Sequence, residues 1–154
     1  MLSDMLKLEN IQVVDHIDAW QDAIHVCLKP LEDGGYVEPR YAEAIIETTK
    51  ELGPYYVIGE DIALVHARAE QGVLKRQLSV ALVKKPVQFP EDSFPVRILI
   101  GLAATDPNSH LDIMQLLVSI FVDEEKVQDM IACNSPEEIY NFFLTEAQSI
   151  EQKE

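Results

Sequence analysis

The chain has 154 residues, of which 47% are apolar, and it carries a formal net charge of −15 with a mean hydropathy of −0.01. This length suits one domain, which we expect to span residues 1–154. The acidic balance argues against nucleic-acid binding, because such a surface repels phosphate backbones. No stretch approaches the roughly 20 apolar residues that cross a bilayer, and the N-terminal residues lack a secretory pattern. We therefore expect a cytoplasmic protein.

Two amphipathic helices are predicted in the first third of the chain. Apolar residues recur at helical spacing between Asp15 and Leu31, with Asp15 as the N-cap and Pro30 at the exit. A second helix is predicted from Pro39 to Leu52, because proline suits the first turn of a helix and Gly53 suits its end.

Beyond Gly53 the apolar period changes from that of a helix to that of a strand. Aromatic and β-branched residues predict four strands, at 55–58, 61–65, 78–83 and 96–102. The first two are expected to meet at a turn containing Gly59. The proline-containing segment 84–95 is predicted to be a loop or an edge crossing.

The last third of the chain has helical spacing again. One helix is predicted to begin at Ser109, whose hydroxyl can accept from the first turn, a second to span 123–132, and a third to follow the Ser135-Pro136 pair. Because strands in the middle are preceded and followed by helices, the fold class is expected to be α/β, with a sheet flanked by helices on both faces.

Most of the potentially reactive side chains are interpreted as structural. Cys27 and Cys133 are far apart in the sequence and are expected to be reduced, buried thiols. His16 and His25 lie on or beside the first predicted helix and are expected at its surface. No metal-ligand spacing, dinucleotide fingerprint or phosphate-binding loop is present in the sequence, so neither a metal nor a cofactor is expected.

His66 and His110 have more informative positions. His66 ends a predicted strand, and His110 begins a helix that follows a different strand. In α/β sheets, ligand sites gather beyond the carboxyl ends of strands, where helix N-termini bind anions. Each histidine could equally be a cap or a core residue satisfied by a neighbour, and position alone leaves these alternatives open.

Phosphoryl acceptance by a histidine requires fewer additional groups than the other candidate chemistries. Transfer mainly needs positioning and hydrogen-bond donors around the phosphoryl oxygens. Arg68 and the helix N-terminus at Ser109 and His110 could supply these donors. The alternative for Arg68 is a surface ion pair with Glu70 or another acid.

Two segments of the chain carry a family resemblance. The run Gly59-Glu60-Asp61-Ile62-Ala63-Leu64-Val65-His66 resembles a pattern close to G-x-x-I-A-x-P-H, and Ser109-His110-Leu111-Asp112-Ile113-Met114 resembles a second, S-H-L-like helix start. Both are typical of the mannitol/fructose/ascorbate-type IIA components of the bacterial phosphoenolpyruvate-dependent sugar phosphotransferase system. The similarity runs over nearly the whole chain, beginning near Tyr36 and Tyr41.

This resemblance implies a function and a set of site residues. His66 would accept a phosphoryl group from the phosphocarrier protein HPr, generally on Nε2, and pass it to a IIB component, which serves a membrane IIC component. His110 would support the phosphoryl group without carrying it. Arg68 and Ser109 are the candidate phosphate or partner contacts. The implied fold is a mixed β-sheet flanked by helices.

Some positions depart from the family pattern. Val65 replaces the usual proline, and Lys50 stands near the position of an upstream arginine of mannitol-type members. The segment 53–58 and Arg68 resemble the ascorbate-type branch instead, which makes L-ascorbate the candidate substrate. The alternative function is a regulatory module of the same fold that signals its phosphorylation state to a protein partner.

Overall fold

The computed structural model describes residues 2–105 and 111–153. The helices are α1 (Leu2–Met5), α2 (Trp20–Asp33), α3 (Arg40–Leu52), α4 (Leu111–Phe121), α5 (Glu124–Ile131) and α6 (Pro136–Lys153). The strands are β1 (Ile11–Val14), β2 (Val57–Gly59), β3 (Asp61–Val65), β4 (Gln77–Val87) and β5 (Val96–Ala103). Among these helices, none is long and apolar enough to cross a membrane.

The strands form one mixed sheet in the order β1-β4-β5-β3-β2. The pairs β1–β4 and β3–β5 are parallel, whereas β4–β5 and β2–β3 are antiparallel. The predicted mixed sheet is therefore confirmed. Strand β1 was not predicted, because it has four residues, of which only Ile11 is fully buried.

Helices cover both faces of the sheet, as the order of elements predicts. Along β3, Ile62 and Leu64 face a core shared with α1, α4, α5 and α6, whereas Ala63 and Val65 face a core shared with α2 and α3. This sorting follows from the period of two along a strand, which sends successive side chains to opposite faces.

Helix α2 differs from its prediction at both ends. It begins at Trp20 and not near Asp15, and it continues through Pro30 to Asp33. A proline inside a helix lacks the N–H that would bond the carbonyl four residues earlier, here that of Val26. The side-chain amide of Gln12 in β1 donates to this carbonyl at 2.7 Å. The helix therefore continues past Pro30 with its carbonyl satisfied by a neighbouring strand.

The predicted turn at Gly59 and the predicted loop at 84–95 also differ from the structure. Gly59 is the last residue of β2, and the left-handed conformation falls on Asp61, with a φ of 72°. The Asp61 carboxylate accepts two bonds from Arg97, at 2.7 and 3.0 Å, which hold the start of β3 against β5. Strand β4 extends to Val87, so the predicted loop is shorter than expected.

Helix α2 approaches the sheet closely over Gly101 in β5. A Cβ atom at this position would lie 2.4 Å from Ser79 Oγ and 3.1 Å from Leu28 Cδ2. Ser79 Oγ donates to the Cys27 carbonyl at 2.7 Å, which ties β4 to α2. The absence of a side chain at Gly101 therefore allows the helix to lie against the centre of the sheet.

We expect Gly101→Ala to lower the free energy of unfolding by about 1–3 kcal/mol, because the added methyl group displaces Ser79 or α2. Chemical denaturation measures this change. Gly59→Ala is the matched control, because a Cβ there meets nothing within 4 Å. Adding Ser79→Ala to Gly101→Ala removes the nearest clashing atom, so the two effects should be less than additive. Simple additivity would contradict this explanation.

Cys27 lies on the buried face of α2, and burial raises the pKa of its thiol to about 12. Because the thiolate is the reactive form, we expect Cys27 to resist thiol reagents at pH 8 in the native protein and to react once denaturant unfolds the chain. Mass spectrometry after timed labelling locates the modified residue. Rapid labelling of Cys27 without denaturant would contradict its placement in the core.

Candidate functional site

The site is built at one edge of the sheet, where β3 and β5 end together. These strands are parallel, and Val65 pairs with Gly101, so the residues that follow each strand meet at the same edge. His66 comes directly after β3, as predicted. The segment after Ala103 leads to α4 from the same edge. Ser109 and His110 lie outside the described residues, so their predicted positions beside His66 stay predictions.

The imidazole of His66 has one nitrogen tied to the backbone. Nδ1 lies 2.6 Å from the carbonyl oxygen of Leu64. A carbonyl can only accept a hydrogen bond, so Nδ1 is the donor, and in the neutral ring Nε2 keeps its lone pair. Within residues 2–105 and 111–153, Nε2 has no hydrogen-bond partner. The ring is half-buried, and Nε2 lies on the side of the ring away from the Leu64 carbonyl.

Two tyrosine hydroxyls hold the peptide group that follows His66. Tyr55 Oη donates to the His66 carbonyl at 2.5 Å, and the Ala67 N–H donates to Tyr41 Oη at 2.8 Å. Tyr41 Oη in turn donates to the Leu102 carbonyl, at 3.0 Å, near the end of β5. Burial raises the pKa of Tyr41 to about 12, so this hydroxyl stays protonated at neutral pH.

Neither tyrosine was predicted as a site residue. Tyr41 lies among the apolar residues on the inner face of α3, and Tyr55 precedes a strand. A buried tyrosine hydroxyl usually has a hydrogen-bond partner. A tyrosine within an aliphatic stripe was therefore the sequence feature that could have indicated a buried hydrogen bond at Tyr41. The identity of the partner could not be read from the sequence, because Leu102 is 61 residues away from Tyr41.

His66 and Arg68 both line an open cavity of about 480 Å³. Its other lining residues are Thr48, Glu51, Leu52, Tyr55, Ala67 and Gln71. Arg68 Nε lies 3.5 Å from Glu70 Oε1, and both side chains are mostly exposed, at 75% and 68%. The surface ion pair with Glu70, which was the alternative interpretation of Arg68, is thus present. Such an exposed pair contributes no more than about 1 kcal/mol, so Arg68 can exchange Glu70 for an anion in the cavity.

The other residues considered in the sequence, Lys50, His16 and His25, do not line this cavity and form ion pairs at the surface. Helix α3 contributes Thr48 to the lining, whereas Lys50 pairs with Glu47 at 3.2 Å and does not line the cavity. His16 lies 3.2 Å from Asp15, and His25 lies 3.2 Å from Glu43, with both imidazoles exposed. In the part of the chain that the structure describes, no cluster of three acidic, histidine or cysteine side chains could hold a metal ion.

Comparison with known proteins identifies the family. A family model described as "Phosphoenolpyruvate-dependent sugar phosphotransferase system, EIIA 2" matches residues 4–146. The mannitol-specific cryptic phosphotransferase enzyme IIA component of Escherichia coli strain K12 is 34% identical over 138 residues, covering 90% of this chain and 94% of that protein. The ascorbate-specific EIIA component of the same strain is 36% identical over 133 residues, covering 85% and 86%.

Solved structures agree with this assignment. The solution structure of the mannitol-specific cryptic enzyme IIA from Escherichia coli superposes with a TM-score of 0.85 and 33% identity, covering 92% of this chain and 97% of that one. A chain from the complex of enzyme IIAMTL with phosphorylated enzyme IIBMTL, also from Escherichia coli, has a TM-score of 0.76 and 29% identity, covering 91% and 97%. The chain therefore belongs to the EIIA 2 family of the phosphoenolpyruvate-dependent sugar phosphotransferase system, as a phosphoryl-transferring IIA component with the mannitol-type fold.

Proposed function

We propose that His66 is the residue that carries the phosphoryl group, and that it does so on Nε2. The observation that supports this assignment is the bond of 2.6 Å between Nδ1 and the Leu64 carbonyl. It holds the imidazole in the tautomer whose Nε2 lone pair is free to attack phosphorus. His66 also lines an open cavity, which a partner protein can reach from solvent.

The transfer follows from this geometry. The Nε2 lone pair forms a bond to phosphorus while the bond from phosphorus to the donor's nitrogen breaks, and that nitrogen leaves with its electron pair. As the new bond forms, the imidazole of His66 becomes positively charged and still carries its proton on Nδ1. The Leu64 carbonyl accepts that proton's hydrogen bond, and such a bond strengthens when its donor is charged. Leu64 therefore stabilises the product form of the ring.

Three further residues are proposed to assist at the phosphoryl oxygens. Arg68 lines the cavity and forms an exposed pair with Glu70, so its guanidinium can turn toward the phosphoryl group. Ser109 and His110 precede α4 in the chain and, from the family resemblance, would donate to the same group. His110 would support the phosphoryl group without carrying it.

The partners and the substrate are inferred from the relatives. We infer that phospho-HPr is the donor, that a IIB component is the acceptor, and that the relay feeds a membrane IIC component from the cytoplasm. The solved complex of a related IIA with a phosphorylated IIB supports the acceptor. One relative is ascorbate-specific and another is a mannitol-specific cryptic enzyme. A sugar or sugar acid is therefore the substrate class, with L-ascorbate as the first candidate to test.

We expect His66→Gln to abolish phosphorylation, because glutamine has no basic ring nitrogen at the position of Nε2. The assay combines the protein with phosphoenolpyruvate, the general enzyme of the system and HPr, and intact mass shows the addition of one phosphoryl group. His25→Gln is the matched control, since His25 is an exposed histidine paired with Glu43 outside the cavity. Retention of the label in the His66 variant would refute the assignment. Transfer from the labelled protein to ascorbate-type and mannitol-type IIB proteins then tests the substrate branch.

We expect His110→Ala to slow phosphorylation by about 100-fold without abolishing it, because a lost donor weakens stabilisation of the transferring group while the acceptor nitrogen stays in place. Time courses with limiting phospho-HPr measure the rate, and circular dichroism checks that the variant is folded. Complete loss of labelling in a folded variant would show that the roles of the two histidines are reversed.

A further inference from the structure

The peptide group between His66 and Ala67 lies just beyond the sheet. Val65 is the last residue of β3 that pairs with β5, so the following peptide has no strand partner on that side. Its carbonyl oxygen accepts from Tyr55 Oη, and its N–H donates to Tyr41 Oη, at 2.5 and 2.8 Å. Both polar atoms of this peptide are therefore held by side-chain hydroxyls where backbone pairing has ended.

Tyr55 contacts His66 through its ring as well as through its hydroxyl. The ring centroids of Tyr55 and His66 lie 5.6 Å apart, with an interplanar angle of 79°. On its other side, Tyr55 packs edge-on against Tyr56 at 5.0 Å, and Tyr56 packs against Phe89 at 5.5 Å. Tyr56 and Phe89 are buried. Tyr55 is thus supported by the core while its own side chain reaches the cavity.

We propose that Tyr55 is a positioning residue for phosphoryl transfer, and that it acts by fixing the His66 backbone so that Nδ1 stays on the Leu64 carbonyl. This proposal rests on the proposed role of His66. Displacement of the His66 backbone would move the Cβ atom that carries the imidazole, lengthen the contact between Nδ1 and the Leu64 carbonyl, and free both the ring torsion and the tautomer. Nε2 would then be unprotonated and correctly directed for only part of the time, and the transfer would slow.

The exposure of the two tyrosines decides which one can test this role. Tyr41 is fully buried, so Tyr41→Phe would remove buried hydrogen bonds to the Leu102 carbonyl and the Ala67 N–H and would lower stability. Tyr55 is 38% exposed, and Tyr55 and His66, whose carbonyl accepts from the Tyr55 hydroxyl, both line an open cavity. Tyr55→Phe therefore separates positioning from folding.

The experiment compares Tyr55→Phe with Tyr56→Phe. The control removes the same atom from the adjacent residue, whose hydroxyl lies 3.0 Å from Thr49 Oγ1 and is not bonded to the His66–Ala67 peptide. For Tyr55→Phe we expect the rate of phosphorylation at saturating phospho-HPr to fall about tenfold, with an unchanged half-saturating donor concentration. In nitrogen-15 NMR of the unphosphorylated protein, the His66 Nδ1 proton should exchange faster with water than in the wild type. Tyr56→Phe should match the wild type in both measurements.

The two proposals fail in different ways. A wild-type rate and a wild-type Nδ1 proton signal in Tyr55→Phe, on a protein labelled at His66, would overturn the positioning role and leave the phosphorylated residue intact. An equal loss in Tyr56→Phe would also overturn it, because the effect would then reflect general loss of packing. A label that persists in His66→Gln would instead refute the proposed function itself.

Discussion

The parallel pairing of β3 with β5 is the constraint on which the site depends. Parallel strands bring their carboxyl ends to one edge, and the register of Val65 with Gly101 places His66 beside the end of β5. Tyr41 can then bridge Ala67 and Leu102 with one hydroxyl, since the two backbone segments end side by side. An antiparallel arrangement of these strands would send the two segments to opposite edges of the sheet.

This pairing is supported by close packing on the α2 face of the sheet. Ser79 and Gly101 lie opposite each other on β4 and β5, and Cys27 of α2 receives the hydrogen bond from Ser79. Small residues at the contact let the helix approach closely, and close-packed interiors of this kind have low compressibility. The edge that carries His66 is therefore attached to a closely packed core.

The charge of the segment that follows His66 differs in sign from the net charge of the whole chain. The net charge is −15, yet the segment 66–77 contains Arg68, Lys75 and Arg76 against the single acid Glu70. A phosphoryl group is an anion, and its approach to a strongly acidic protein is opposed over distances of about a Debye length, roughly 8 Å in physiological salt. If His66 carries the phosphoryl group as proposed, a basic segment directly after it reduces that opposition near the acceptor.

The sequence by itself determined the types of most elements, the strand that ends just before His66 and the coverage of the sheet on two faces, because burial imposes periods of 2 and 3.6 that are visible in one dimension. The tertiary structure alone decided the presence of β1, the continuation of α2 past Pro30, and the hydrogen-bond partners of Tyr41 and Tyr55. Each of these depends on a partner distant in the chain: β4 for β1, Gln12 for the Val26 carbonyl, and backbone groups 11 to 61 residues away for the tyrosines. The Nδ1 contact of His66 was also decided by the structure and not by the sequence: the Leu64 carbonyl is only two residues away, but its distance of 2.6 Å from Nδ1 depends on the local backbone and ring conformation.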